Sequence, residues 1–259
     1  MSAARSRRRC TVCAKVLSAV PRSRRGLLVG IDEAGRGPII GPIVIAGVAI
    51  ELKAVRELAE LGVRDSKDLT PSRRKELFPE IMRLVKHAVI VKVPPALIDT
   101  VNLNRLEIET MAYIVQRVKS LYGEPEVVYM DAVGPAKKMA AEVKRLTGLR
   151  GVVVAEPKAD TRYVPVSAAS IIAKVVRDEE IEELRKVYGV RGSGYPTDPG
   201  TLEWIREAYR RSPHTPPWFV RRSWSTLKRI APGWYRAKDT GSKSADHRQK
   251  TLLDFLHRR

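Results

Sequence analysis

Asp32 and Glu33 are adjacent carboxylates that close a short apolar run, Leu27–Ile31, and stand directly before Ala34-Gly35-Arg36-Gly37-Pro38. Asp131 ends a second apolar run, Val127–Met130, whose only other polar side chain is Tyr129, and Asp160 follows a third run, Val152–Ala155. Such runs predict buried strands, and ligand sites in open α/β sheets gather at the carboxyl ends of strands. A single strand-end Asp is more often a turn former. Carboxylates delivered by several strands are a stronger signal. With no accompanying Cys and few His, they favour a hard cation such as magnesium or manganese over zinc. Acidic clusters of this kind hold two ions roughly 3.5–4 Å apart in enzymes that displace at phosphorus, one ion activating water and the other stabilising the leaving oxygen.

The elements that must carry these groups alternate as in an α/β domain. After Leu27–Ile31, a β-branched run at Ile43–Ile50 predicts a second strand beyond a Gly/Pro-rich loop. Thr70-Pro71 is a cap followed by proline at the first helical position, opening a helix through about Val85. His87–Val93 reads as a third strand. Leu106, Met111, Ile114, Val115 and Val118 fall at helical spacing within Leu103–Tyr122, with Gly123 as its stop. A helix over Ala136–Leu146, a long helix over Ser167–Tyr188 ending at Gly189, and a helix over Leu202–Arg210 follow. Pro213, Pro216 and Pro217 mark a linker into a small helical appendage with Trp218, Trp224 and Trp234. The expected division is a basic, disordered arm (1–25), a catalytic domain (26–210), the appendage (211–235) and a flexible tail (236–259).

With 259 residues, 44% hydrophobic and 30% charged, the chain has enough apolar material for a sizeable core. Its longest uncharged stretch, Gly37–Ile50, is too short and too rich in Gly and Pro for a spanning helix. Cys10 and Cys13 make half a zinc site with no second pair, and two cysteines cannot form a disulfide framework, which together with the lack of a secretory run points to the cytoplasm. The net charge of +19 is uneven: residues 1–25 hold eight basic groups and no acidic one, and residues 211–259 hold twelve basic and three acidic. A near-neutral body with cationic ends suits a polyanionic partner, since each Lys or Arg set on a phosphate releases counterions.

The blocks Gly30-Ile31-Asp32-Glu33-Ala34-Gly35-Arg36-Gly37-Pro38, Asp65-Ser66-Lys67, Tyr129-Met130-Asp131-Ala132, Lys158-Ala159-Asp160, the run from Ser167 to Asp178 and Gly192-Ser193-Gly194-Tyr195-Pro196 occur in the order of the signature blocks of ribonuclease HII. From about residue 27 to about residue 230 the chain resembles that family, most closely its archaeal members. The resemblance implies a ribonuclease H-like mixed sheet flanked by helices, with a small C-terminal helical appendage, in a monomer. It also implies hydrolysis of RNA in RNA/DNA hybrids and on the 5′ side of ribonucleotides embedded in DNA. The family's four acidic metal-binding positions match Asp32, Glu33, Asp131 and Asp160, for two Mg2+ or Mn2+ ions. Its ribose-reading segment matches Gly35, Arg36 and Gly37, and its junction tyrosine matches Tyr195. Ser66, Lys67, Asn104, Ser167, Ser170 and Lys174 match phosphate-contacting blocks, with capping or packing an equal alternative for the two serines. Asp178, beside Glu179 and Glu180, reads as part of a solvated face.

Two competing readings stay in play. A ribonuclease H-like resolvase acting on DNA would give no reason for Gly-Arg-Gly and the Tyr195 loop together, and a non-catalytic nucleic-acid adaptor would have no use for four intact acidic positions. Ribonuclease HIII normally carries a sizeable N-terminal domain, which 25 Arg-rich residues cannot supply. At the far end, Gln249, Leu252, Phe255 and Leu256 are spaced like the sliding-clamp-interacting peptide of replication proteins, with Leu256 in place of the second aromatic. One helical turn would set Leu252, Phe255 and Leu256 on a single face as an apolar plug.

Overall fold

The computed structural model describes residues 26–63 and 69–238. The basic arm with Cys10 and Cys13, Ser66 and Lys67, and the tail with Gln249, Leu252, Phe255 and Leu256 lie outside the described residues.

Five strands form one mixed sheet in the order β3-β2-β1-β4-β5. The central strand β1 (Leu27–Ala34) runs antiparallel to β2 (Ile43–Glu51) and parallel to β4 (Val127–Asp131). β3 (His87–Val93) flanks β2 and β5 (Val152–Glu156) flanks β4. The apolar run foretells a strand ending at Ile31, but β1 continues to Ala34, because Asp32, Glu33 and Ala34 pair with Ala46, Ile45 and Val44 of β2. The two carboxylates are therefore held inside the ladder rather than beyond it. Helix α1 (Leu52–Glu60), with Ala54, Val55, Leu58 and Ala59 buried, has no counterpart among the expected elements. α2 (Pro71–Leu84) begins as expected, with the Thr70 hydroxyl accepting from the Arg73 N–H at 3.2 Å. The remaining helices are α3 (Pro95–Ile98), α4 (Leu103–Tyr122), α5 (Ala136–Thr147), α6 (Val164–Tyr188), α7 (Pro199–Arg211) and α8 (Leu227–Ile230). α7 starts three residues before the expected Leu202, since Asp198 caps it by accepting from the Gly200 and Thr201 N–H groups.

Strand alternation sorts the sheet into two apolar faces. Leu28, Val44, Ala46, Val48, Ile50, Val127 and Tyr129 pack with α1, α2 and α6. Val29, Ile31, Ile43, Ile45, Val128 and Met130 pack with α4 and α5. A third core joins Ile39 and Ile40 to Ile181, Leu184, Trp204, Phe219, Val220 and Trp234, so packing is continuous from the loop after β1 to residue 234. Among the described residues no helix is long and apolar enough to cross a membrane.

Two glycines set how closely helices approach the sheet. A Cβ at Gly30 of β1 would sit 2.1 Å from the Pro165 carbonyl carbon of α6, and one at Gly47 of β2 would sit 2.2 Å from Ile114 Cγ2 of α4. The first contact is with backbone and cannot be relieved by a rotamer change. Gly30→Ala is therefore expected to push α6 off β1, at a cost of about 3 kcal/mol or more. Denaturant unfolding checks this, and a midpoint unchanged from the parent would show that α6 does not depend on that approach.

Candidate metal centre and cleft

Alternation along β1 sends Asp32 to the α6 side and Glu33 to the α4 side. Ser170 of α6 hydrogen-bonds the Asp32 carboxylate, and the Glu33 N–H donates to Asp32 Oδ1 at 2.8 Å. Met130 of β4 lies beside Ile31 of β1, which places Asp131 level with Asp32 on the neighbouring strand. Carboxylate oxygens of Asp32, Glu33 and Asp131 all lie within 4.8 Å of one another. The fourth acid, Asp160, is buried on the single turn Ala159–Thr161, close enough for its charge to act on Asp32. That turn is tied to the cluster by the Ala159 N–H, which donates to Asp131 Oδ1 at 2.8 Å. It is entered through Lys158 in the left-handed region at φ 58°, a conformation that costs a non-glycine residue free energy and persists only where its surroundings enforce it.

Burial pushes the Asp32 carboxyl up to about 7, with the charges of Asp131 and Asp160 adding to the rise and the Ser170 and Glu33 hydrogen bonds opposing it. Burial likewise raises Glu33 well above the usual carboxylate range, reinforced by Asp32, Glu107 and Asp131 and opposed by Arg36. Glu33 Oε2 is buried with no hydrogen-bond partner. An all-oxygen donor set in which like charges crowd together and one buried oxygen is unsatisfied fits a hard divalent cation.

Glu33 also lines a cleft of about 490 Å3 together with Gly35, Arg36, Gly37, Lys174 and Tyr195, and with four further residues, Ala34, Arg74, Arg177 and Asp178. Tyr195 is exposed, with its ring against Gly37 and the Arg177 guanidinium 5.4 Å from its centroid. Asn104 stands at the start of α4, where its Oδ1 accepts from Arg36 at 2.6 Å. Ser167 and Ser170 are fully buried on the sheet-facing side of α6, and Ser170 bonds Asp32. Asp178 departs from the solvated face expected of it: α2 brings Arg74 to 3.3 Å from its carboxylate, and both line the cleft.

Two residues had no signal in the sequence as site components. Glu107 of α4 is fully buried and pairs with the Arg36 guanidinium. Burial raises its carboxyl to about 7, against the opposing charges of Arg36, Arg221 and Lys238. Arg221, also fully buried, donates to the carbonyls of Gly35, Arg36 and Gly41 from the opposite side of the loop.

A ribonuclease H-like sheet whose strand ends hold buried carboxylates beside a cationic, tyrosine-bearing cleft defines a metal-dependent nuclease. Residues 29–227 match the family model for ribonuclease HII. The ribonuclease HII of Hyperthermus butylicus is 58% identical over 236 residues, covering 91% of this chain and 97% of its own. That of Pyrococcus abyssi is 45% identical, covering 89% and 98%. The crystal structure of ribonuclease H2 from Pyrococcus horikoshii OT3 matches with a TM-score of 0.74 at 42% identity, over 80% of this chain and 98% of that one. The structure of a PCNA:RNase HII complex from Archaeoglobus fulgidus matches with a TM-score of 0.69 at 40% identity, over 88% and 100%. The chain belongs to the ribonuclease HII family. It is a metal-dependent endoribonuclease, of a family that cleaves RNA in RNA/DNA hybrids.

The raised Asp32 carboxyl sets the sign of a pH effect. Its neutral form is favoured in the folded chain, so without a cation stability is lost as pH rises from the ordinary Asp range near 3.8 through about 7. A bound cation favours the ionised form and reverses this. The gain in Tm on replacing chelator with magnesium or manganese is therefore expected to be small at pH 5 and large at pH 8. Equal gains at both pH values in thermal melts would contradict the electrostatic description of the cluster.

Proposed function

We propose that this enzyme cuts on the 5′ side of ribonucleotides embedded in duplex DNA as well as within RNA/DNA hybrids, breaking the bond from phosphorus to the preceding 3′ oxygen and leaving 3′-hydroxyl and 5′-phosphate ends. The observation that carries this reading is the double membership of Glu33, which belongs both to the acidic cluster and to the cleft formed by Gly35, Arg36, Gly37 and Tyr195. A group read by the loop therefore lies next to the carboxylates that act on its phosphate. Asp32, Glu33, Asp131 and Asp160 are the residues that would hold two divalent ions, magnesium or manganese. When bound, such ions polarise water and offset charge on the leaving oxygen.

The chain's own residues do the rest. Glycines at 35 and 37 allow close backbone approach to a sugar, and the 2′-hydroxyl is the group that distinguishes RNA from DNA at that position. Tyr195 offers its exposed ring to the same sugar. Asn104 and Lys174, with Ser66 and Lys67 of the Asp65-Ser66-Lys67 block, bind backbone phosphates, while the buried Ser170 holds Asp32 from behind and the buried Ser167 packs beneath it on the same helix. Residues 26–210 form the catalytic unit and 211–235 its appendage, acting as a monomer in the cytoplasm. The tail peptide carrying Gln249, Leu252, Phe255 and Leu256 docks on a sliding clamp, a reading supported by the PCNA complex of the Archaeoglobus fulgidus relative. A tether to a clamp raises the local concentration of enzyme on DNA without altering the active site.

A duplex carrying one ribonucleotide tests the activity: the expected product is a single nick 5′ of that residue in magnesium or manganese and none in chelator. Binding without any metal-dependent cut would instead mark an adaptor. In the same assay Asp131→Asn is expected to stay folded and lose at least about a hundredfold in rate, since it removes transition-state charge stabilisation without emptying the core. Near-parental turnover by that variant would remove Asp131 from the site. Deleting residues 249–256 is expected to leave unassisted cleavage within about twofold of the parent while abolishing clamp binding in calorimetry. Unchanged clamp affinity would overturn the tail assignment.

A further inference from the structure

The loop from Gly35 to Pro42 joins β1 to β2 with no ladder of its own, and it bends through positive φ at Gly35 (85°) and Gly41 (86°). Five of its eight carbonyls are nonetheless held, and from one short segment. The Arg221 guanidinium donates to Gly35 O at 2.6 Å, Arg36 O at 3.0 Å and Gly41 O at 2.8 Å, while the Arg221 N–H donates to Ile39 O at 2.9 Å. Trp224 Nε1 donates to Gly37 O at 2.9 Å, and its ring lies 5.0 Å from the Arg221 guanidinium. In return the Gly41 N–H donates to Phe219 O at 2.8 Å.

A planar trans peptide points its C=O and N–H in opposite directions. Pinning the Gly35 carbonyl toward Arg221 therefore turns the Arg36 N–H away from it, and pinning the Arg36 carbonyl does the same for the Gly37 N–H. The next peptide, whose carbonyl is held by Trp224, ends in Pro38 and has no N–H to present. Among the described residues neither the Arg36 nor the Gly37 N–H meets a hydrogen-bond acceptor, and both residues line the cleft that contains Glu33 and Tyr195.

We propose that Arg221 is a positioning residue for ribonucleotide selection: by holding the carbonyls of Gly35 and Arg36 from behind, it presents two backbone N–H donors to the hydroxyl oxygen of a ribose in the cleft. The inference rests on the reading of this loop as the 2′-hydroxyl reader. It makes the segment 219–224 a determinant of specificity, although none of that segment lines the cleft. The fork of a guanidinium is needed because one ammonium cannot reach three carbonyls with its fixed spacing.

The test compares Arg221→Lys and Trp224→Phe with the parent by thermal melts, Mn2+ affinity, and the ratio of affinities for a duplex with one ribonucleotide and its all-DNA equivalent. Arg221→Lys is expected to bind Mn2+ within about twofold of the parent while its ribonucleotide discrimination falls at least about tenfold, the behaviour of a site whose hydroxyl-binding donors have been turned away. A folded, metal-binding Arg221→Lys with parental discrimination overturns the proposal. If that variant does not fold, Trp224→Phe decides, since it keeps an aromatic ring and removes one carbonyl tie: a discrimination loss of about threefold is expected, and a parental ratio overturns the proposal. Failure of the underlying reading gives a different result, because the parent enzyme itself would then not distinguish the two duplexes.

Discussion

Mutual repulsion among crowded carboxylates, buried and half-buried, is the constraint to which the rest of this molecule is fitted. Oxygens of Asp32, Glu33 and Asp131 lie within 4.8 Å of one another, with Asp160 close behind. Left as anions away from water, such groups oppose folding. The fold tolerates them by anchoring each to structure already held for other reasons. Asp32 and Glu33 are held in the central strand of the sheet by pairing with Ala46 and Ile45 of β2, and Asp131 ends its parallel neighbour. The Ser170 hydroxyl and the Glu33 and Ala159 N–H groups add hydrogen bonds. α6 can bring Ser170 to Asp32 because Gly30 leaves room for its backbone. A cation held among these oxygens would release the free energy stored in the repulsion.

The cleft beside this cluster depends on a second balance, between Arg36 and its neighbours. Glu107 and Asn104 of α4 hold the Arg36 side chain, and Arg221 holds its carbonyl. The loop is thus fixed at side chain and main chain by two elements distant in sequence. Buried Glu107 and buried Arg221 contribute opposite charges on either side of it, and each acts on the other's ionisation. A loop built mainly of glycine and proline would otherwise sample many backbone states.

Much of this was legible in the residues. β-Branched runs marked the strands, Thr70-Pro71 marked the start of α2, and the four acids stood out because each ended or followed an apolar run. What escaped notice was whatever only tertiary packing decides. Glu107 lies one position after a core leucine, and nothing local says that its helix face turns toward Arg36. Arg221 stands in an Arg-Arg pair within a Pro- and Trp-rich stretch, where a surface cation is the ordinary expectation. Asp178 seemed solvated because the partner that draws it into the cleft, Arg74, lies 104 residues away. β1 overran its expected end because ladder partners on β2, rather than its own polar residues, decide where a central strand stops.

The claim that the acidic cluster is a cation site strained by its own burial is tested most directly by calorimetry of Mn2+ binding near pH 7 in two buffers of different ionisation enthalpy. An Asp32 carboxyl raised to about 7 must lose its proton when a cation binds. Net proton release is therefore expected, seen as an apparent binding enthalpy that changes with the buffer. Tight binding with the same enthalpy in both buffers at pH 7 would contradict it.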